Sequence, residues 1–176
     1  MKRKIGELAL IILFYLMQVL LGDVIAIGGI KPNFLIILPA VFGYLNGRND
    51  GMFVGFVSGL FYDLFFNSII GFTSLVFVYI GYFSGYFQKE YEKDEMIIPL
   101  GLVFTGNIIF GFLSYVGNFL LHNRLNVLFY VTRFILPEVI YTLFITMLVY
   151  KLLALFNSKL EPRSKRRLSN FDKRDI

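Results

Sequence analysis

Residues 51–71 read GMFVGFVSGLFYDLFFNSIIG, an apolar stretch in which glycine recurs every fourth residue, at Gly51, Gly55 and Gly59. A step of four residues advances about 40° around an α-helix, so the three glycines share one face and Asp63 lies at its edge. Alone in water this helix would be unstable, because each glycine costs about 1 kcal/mol relative to alanine. In a bilayer, small residues let helices pack backbone against backbone. The stretch therefore predicts a membrane span that makes a close helix contact.

The amino-acid composition is typical of an integral membrane protein. Hydrophobic residues make up 57% of the 176 positions and charged residues only 16%, against about 25% charged in soluble domains. Short polar breaks separate the apolar stretches, which indicates one domain. Seven of the seventeen basic residues lie in the last twenty positions, so the net charge of +5 does not indicate nucleic-acid binding. Cysteine is absent, which excludes a disulfide framework and a thiolate metal site.

The hydropathy pattern predicts an all-α membrane bundle of six transmembrane helices. A helical crossing of about 30 Å needs about 20 apolar residues, and the first apolar segment meets this length directly after a basic start. A cleaved signal peptide is its alternative, although no clear small-residue cleavage site follows. The predicted spans are residues 5–22, 31–46, 51–66, 70–87, 96–121 and 134–156, and residues 157–176 form a basic cytoplasmic tail that we expect to be disordered.

Two prolines lie inside predicted spans. Pro39 removes a backbone donor from the second span and should bend it. Pro137 should kink the sixth span near Arg133 in the same way. Residues 125–132, which precede that span, are predicted to approach the membrane along its interface, because the apolar stretch is longer than one crossing needs.

The distribution of Lys and Arg predicts the orientation of the bundle. With six spans, one side receives the basic start, the Arg48 turn, the charged loop of residues 88–95 and the tail. The other side receives only Lys31 and Arg124, with Arg133 at the boundary. The positive-inside rule then places both termini in the cytoplasm.

Asp63, Arg133 and Glu138 are the candidate ionisable residues at membrane depth, where such residues are functional candidates by default. Asp63 has two interpretations: a hydrogen-bonded or partner-contacting residue near the outer end of its span, or a group that couples to protons or ions. Arg133 and Glu138 are five residues apart and so about 140° apart on one helix, which means that each needs a partner elsewhere. Asp63 with Arg133 is the pairing to test first, since both should lie towards the outer leaflet.

A polar stripe is predicted on one face of the fifth span. Its members fall at offsets 0, 4, 7 and 11, so it should point into the bundle. Interhelical hydrogen bonds worth roughly 0.6 kcal/mol explain the stripe without a polar ligand, although ligand binding is the alternative. The sequence holds one histidine and no metal, phosphate-loop or nucleophile motif, so we predict no enzyme activity, catalytic residue, metal or cofactor. The stripe consists of Asn107, Gly111, Ser114 and Asn118.

Several of these features together resemble the rod shape-determining protein MreD family. They are Pro32-Asn33 at the second span, the GF-x2-GL-x2-D run of residues 55–63, and Gly71 at the fourth span. The resemblance implies a non-enzymatic scaffold of the bacterial cell elongation (rod) complex in the inner membrane, supporting peptidoglycan synthesis and cell shape. It also implies MreC as the main partner, with MreB, RodA and a class B penicillin-binding protein in the same complex, besides the lipid bilayer.

The resemblance further implies a fold similar to the substrate-binding subunits of energy-coupling-factor transporters. A vitamin-binding subunit of such a transporter is therefore the alternative function. Those subunits usually carry an alanine-rich face on their first span, whereas this first span offers only Gly6 and Ala9 before bulky residues. Tryptophan, common in their ligand pockets, is absent. For the scaffold, we expect a helix-packing or partner interface formed by Gly51, Gly55, Gly59 and Asp63.

Overall fold

A computed structural model of the protein describes residues 2–66, 70–90, 96–117 and 127–160. Regular structure in these residues is helical, apart from one isolated bridge between Ile27 and Ile30, so the all-α prediction is confirmed. The irregular helical pieces are a 3-10 segment, Gly85–Glu90, and a π-helical turn, Val131–Ile135. The α-helices are α1 Lys2–Leu21, α2 Phe34–Asn46, α3 Arg48–Phe66, α4 Phe72–Ser84, α5 Ile97–Tyr115, α6 Val127–Tyr130 and α7 Leu136–Leu160.

Among the described residues, three helical segments are long and apolar enough to cross a membrane: Arg3–Leu21, Ile97–Tyr115 and Leu128–Lys159. Helix α2 is apolar but shorter, with 13 residues. Helix α4 and its 3-10 continuation hold 13 and 6 residues, which together reach about 30 Å. The division into six spans therefore stays a prediction that depends on α2, α3 and α4.

Helix α2 is the central helix of the bundle. Every residue from Phe34 to Leu45 is buried, and α2 contacts α1, α3, α4, α5 and α7. Its first turn is capped by Asn33, whose side-chain oxygen accepts a hydrogen bond from the Ile36 amide at 3.2 Å. The glycine-rich helix α3 packs beside this centre and does not form it.

The connection between α1 and α2 is a tight turn held against α7. Gly28 and Gly29 have positive φ angles of 62° and 82°, as the two central residues of a type I′ hairpin turn require. The backbones of Ile27 and Ile30 exchange two hydrogen bonds of 3.1 Å across this turn. The hydroxyl of Tyr141 donates to the Ile25 carbonyl at 2.7 Å, which fixes the connection to α7.

The last helical segment differs in extent from the prediction. Leu128–Lys159 is one continuous stretch of 32 helical residues, so residues 128–132 extend the helix that contains the predicted sixth span. The π-helical turn lies directly before Pro137, where the Leu136 amide donates to the Val131 carbonyl. Proline has no N–H for the Arg133 carbonyl, which accounts for irregular helix at this point. Helix α7 continues to Leu160, and residues 161–176 of the predicted tail lie outside the described residues.

A cluster of four charged side chains joins the beginnings of α1 and α3. Glu7 is only 1% exposed, and its carboxylate lies 3.1 Å from both Arg3 Nε and Lys4 Nζ. Lys4 Nζ also lies 2.8 Å from Asp50 Oδ1, and Arg3 forms a second ion pair with Asp50. The chain start and the α2–α3 turn are thereby fixed on the same side of the bundle.

Replacing Glu7 by glutamine should destabilise the protein by about 2 kcal/mol, because a buried carboxylate would be lost that pairs with two partly exposed cations. The matched control is Asp23→Asn, which removes an exposed ion pair with Lys31 and should cost less than about 1 kcal/mol. Thermal unfolding of both variants in detergent measures the difference. Equal losses would mean that the buried cluster contributes no more than a surface pair.

Candidate functional site

The glycine face of α3 packs directly on the backbone of α4. A Cβ atom added at Gly55 would lie less than 3.0 Å from the carbonyl oxygen of Phe77, a distance that real Cβ atoms essentially never show. One added at Gly59 would meet the Cα of Ser74 equally closely, and one at Gly51 would meet the carbonyl oxygen of Gly81. The two helices are therefore in backbone contact along the whole stripe.

Glycines of the neighbouring helices complete this interface. A Cβ at Gly81 of α4 would collide with the backbone of Gly51, and one at Gly85 would collide with the backbone of Arg48. A Cβ at Gly43 of α2 would lie 2.9 Å from the Cβ of Ser84. Helices α2, α3 and α4 thus meet at one cluster of small residues, the glycine interface, formed by Gly43, Gly51, Gly55, Gly59, Gly81 and Gly85.

The glycine interface joins helices of the same chain. Atoms of α4 already occupy the space in front of the α3 glycines, so a partner helix has no access to them. Outside the glycine face, α3 exposes aromatic side chains, with Phe56 and Phe65 more than half exposed. Of the two expected roles, helix packing fits this placement, and a partner that contacts α3 would meet its aromatic side.

Asp63 caps the first turn of α4 from the neighbouring helix. Its side chain is fully buried, at 0% exposed. Its Oδ2 accepts hydrogen bonds from the amides of Gly71 and Ser74 at 2.9 and 3.1 Å, and its Oδ1 accepts one from the Thr73 amide at 3.1 Å. Gly71, at the N-cap of α4, provides no side-chain cap of its own. A carboxylate is also stabilised at this positive end of the helix dipole.

This capping geometry favours the structural interpretation of Asp63. A carboxylate that exchanged protons or ions would have to release helix-terminal amides which then lack acceptors in a buried site. Arg133 is exposed on the π-helical turn. The pairing of Asp63 with Arg133 stays a prediction.

The polar stripe of α5 faces the interior of the bundle. Asn107 is 1% exposed, and its Nδ2 atom has no hydrogen-bond partner within the part of the chain that the structure describes. The hydroxyl of Ser114 is also buried without a partner there. A Cβ at Gly111 would lie 3.1 Å from the side chain of Ile135, so this face meets the π-helical turn. Asn118 lies outside the described residues.

Glu138 lines a small polar cavity of about 210 Å³. Walls of this cavity come from the end of α1, the α1–α2 connection, the end of α3 and the start of α7. Lys31, Asn33, Tyr62 and Gln18 contribute its other polar groups. Arg133 is not among the residues that line it.

A family model described as rod shape-determining protein MreD matches residues 2–160. The chain belongs to the MreD family. This confirms the resemblance drawn from the glycine and aspartate spacing, and it assigns the protein a role in rod shape determination. Together with three long apolar helices, family membership makes it a membrane protein. No curated protein and no solved structure matches the chain.

A second cavity of this MreD family member is a lateral apolar groove between α4 and α5, with a volume of about 540 Å³. Its rim on α4 is aromatic, and Tyr79 and Phe83 are more than half exposed. Within the described residues no cluster of three possible metal ligands occurs. The groove is lined by Leu75, Val76, Tyr79, Ile80, Phe83, Ser84, Phe87, Leu102, Thr105, Gly106, Ile109 and Leu113.

Gln18 has a structural role that was not predicted from the sequence. Its side-chain oxygen accepts a hydrogen bond from the Phe34 amide at 2.8 Å, and its nitrogen donates to the Pro32 carbonyl at 3.1 Å. Gln18 therefore joins α1 to the start of the central helix. The available signal was a single amide in an otherwise apolar segment, because a buried amide needs partners.

Proposed function

We propose that this MreD family member is a non-enzymatic scaffold subunit of the cell elongation complex, which holds MreC in the inner membrane. The glycine interface is the observation that supports this proposal most strongly. Backbone contact among α2, α3 and α4 leaves no adjustable side chains between them, so it favours a rigid frame. A rigid frame is what a subunit needs in order to position other proteins.

The cavities favour a scaffold over a vitamin-binding subunit. The polar cavity, at about 210 Å³, is smaller than the 300–1,000 Å³ of most small-molecule sites. The larger groove is lined almost wholly by apolar side chains. A lateral apolar groove suits a transmembrane helix of a partner better than a polar vitamin.

The proposed orientation places both termini in the cytoplasm. The ion pairs among Arg3, Lys4, Glu7 and Asp50 support it, because they tie the basic chain start to the turn that contains Arg48. Six crossings then return the basic tail to that same side, as the positive-inside rule requires. In this arrangement MreC is the direct partner, and MreB, RodA and a class B penicillin-binding protein belong to the same complex.

Depletion of the protein tests this function. In a rod-shaped host we expect cells to become round while nutrient uptake is unchanged, and the solubilised protein should co-purify with MreC. Re-expression of the wild-type chain is the control and should restore the rod shape. A growth defect rescued by a single vitamin, with cell shape preserved, would contradict the scaffold and support the transporter.

A further inference from the structure

The polar cavity beside Glu138 lies at the end of the bundle opposite the charged cluster of Arg3 and Asp50. Gln18 belongs to the last turns of α1, and Tyr62 and Phe66 belong to the last turns of α3. The α1–α2 connection closes the cavity with residues 29–33. In a membrane-spanning bundle, helix ends and connections lie at the level of the lipid headgroups.

The hydrogen-bonding capacity of this cavity is only partly used. Gln18 is hydrogen-bonded to the Pro32 carbonyl and the Phe34 amide, and the side-chain oxygen of Asn33 caps α2. Within the described ranges of the chain, the Nδ2 atom of Asn33, which is 2% exposed, has no hydrogen-bond partner. The ion pairs that the described residues form do not involve Glu138. A partly buried carboxylate and a buried amide donor are thus both left for a ligand.

The two charged groups of the cavity come from different walls, Glu138 from the start of α7 and Lys31 from the α1–α2 connection. Phe134 and Glu138 are four residues apart on the α7 segment and so present to the same side, which places the carboxylate beside the aromatic wall. Lys31 stands at the mouth, with its side chain 42% exposed. It pairs with Asp23, whose side chain is 77% exposed, and an exposed pair of this kind is weak enough to exchange for a ligand.

We propose that this cavity binds a small zwitterion, with its primary ammonium on Glu138 and its anionic group on Lys31. The ethanolamine phosphate headgroup of a phospholipid has this chemistry, and so does the same zwitterion free in solution. A primary ammonium donates up to three N–H bonds to the carboxylate and neighbouring acceptors, whereas a quaternary ammonium donates none. The cavity volume of about 210 Å³ suits a headgroup and excludes most larger ligands.

The proposal is tested with purified full-length protein in detergent and three short-chain phospholipids that carry ethanolamine, choline or glycerol headgroups. Native mass spectrometry and thermal melting should show preferential binding of the ethanolamine lipid. Glu138→Gln should weaken that binding about tenfold, the loss expected for one charge-assisted hydrogen bond. Lys31→Met should weaken it as well, whereas Lys151→Met, an exposed lysine of α7 away from the cavity, should not.

The source of the zwitterion is decided by adding phosphoethanolamine without lipid. Protection by the free compound at millimolar concentration identifies a soluble ligand, and protection by the lipid alone identifies the headgroup.

Equal binding of all three lipids, or unchanged ethanolamine-lipid binding by both Glu138→Gln and Lys31→Met, would overturn the proposal. The proposal would also be overturned if these variants bound the lipid normally but no longer captured MreC. That result would indicate that the cavity binds a cationic side chain of a protein partner. If Glu138→Gln fails to fold, the lipid binding of Lys31→Met, at the exposed mouth of the cavity, is the measurement that decides.

Discussion

Gly59→Leu should prevent recovery of folded, monodisperse protein from detergent extracts. The added side chain would meet the Cα and amide nitrogen of Ser74 and the carbonyl oxygen of Thr73, each closer than 3.0 Å. Backbone atoms cannot rotate away as a side chain can, so α3 and α4 would have to separate. Overpacking in cores typically costs 1–3 kcal/mol and occasionally more. We expect a loss above that range, which is a large part of a total stability of about 5–15 kcal/mol.

Gly101→Leu is the matched control for this prediction. Gly101 lies in α5, and a Cβ added there meets no atom within 4 Å, so the same substitution should leave thermal stability nearly unchanged. Size-exclusion chromatography and thermal melting of the chain without MreC compare the two variants. If the α3 glycines contacted a partner instead, Gly59→Leu would melt like Gly101→Leu and would lose only MreC. That result would contradict the internal packing of this face.

Asp63→Ala should have the second largest effect, a loss of about 3 kcal/mol or more. It would leave the amides of Gly71, Thr73 and Ser74 without their acceptor, and each buried donor left unpaired costs about 1–3 kcal/mol. Asp63→Asn should be intermediate, because its amide group retains one acceptor oxygen while its NH2 group cannot accept. The capping role therefore predicts the stability order aspartate, asparagine, alanine.

Thermal melting and hydrogen exchange of residues 71–75 measure this order. Asp23→Ala is the control, because it removes an exposed carboxylate and should change the melting temperature little. Hydrogen exchange should accelerate at the start of α4 in the Asp63 variants alone. An Asp63→Asn protein with unchanged stability and exchange, yet without shape function, would show that the negative charge is required for another task.

The close contact of the third span could be predicted from the sequence, but its partner could not. The spacing of Gly51, Gly55 and Gly59 defines a flat face without stating what covers it. Part of the covering surface is formed by Gly81 and Gly85, which repeat the same four-residue spacing on α4 and its 3-10 continuation. To predict that these two glycine faces meet, one must know how α4 packs against α3. A contact between backbones leaves no side-chain pattern from which this packing could be predicted.

The buried position of Asp63 could be anticipated from its depth, whereas its capping bonds could not. Its partners are mainly backbone amides, and every residue except proline carries such an amide. The central place of α2 had a readable signal, since residues 34–45 contain no charged side chain and a helix that is apolar all round is buried. The cavity beside Glu138 could not be predicted from the sequence, because its walls come from four separate segments.

Reporter fusions at the two chain ends test the central claim most directly, namely that α2, α3 and α4 cross the membrane as a packed unit. Only three helices of the described residues meet the length and hydropathy of a span on their own. Three crossings would place the chain ends on opposite sides of the membrane, whereas six place both in the cytoplasm. We predict cytoplasmic activity for reporters at both the N-terminus and the C-terminus, and for one inserted at the Gly47–Arg48 turn. Chain ends found on opposite sides would contradict the six-span scaffold.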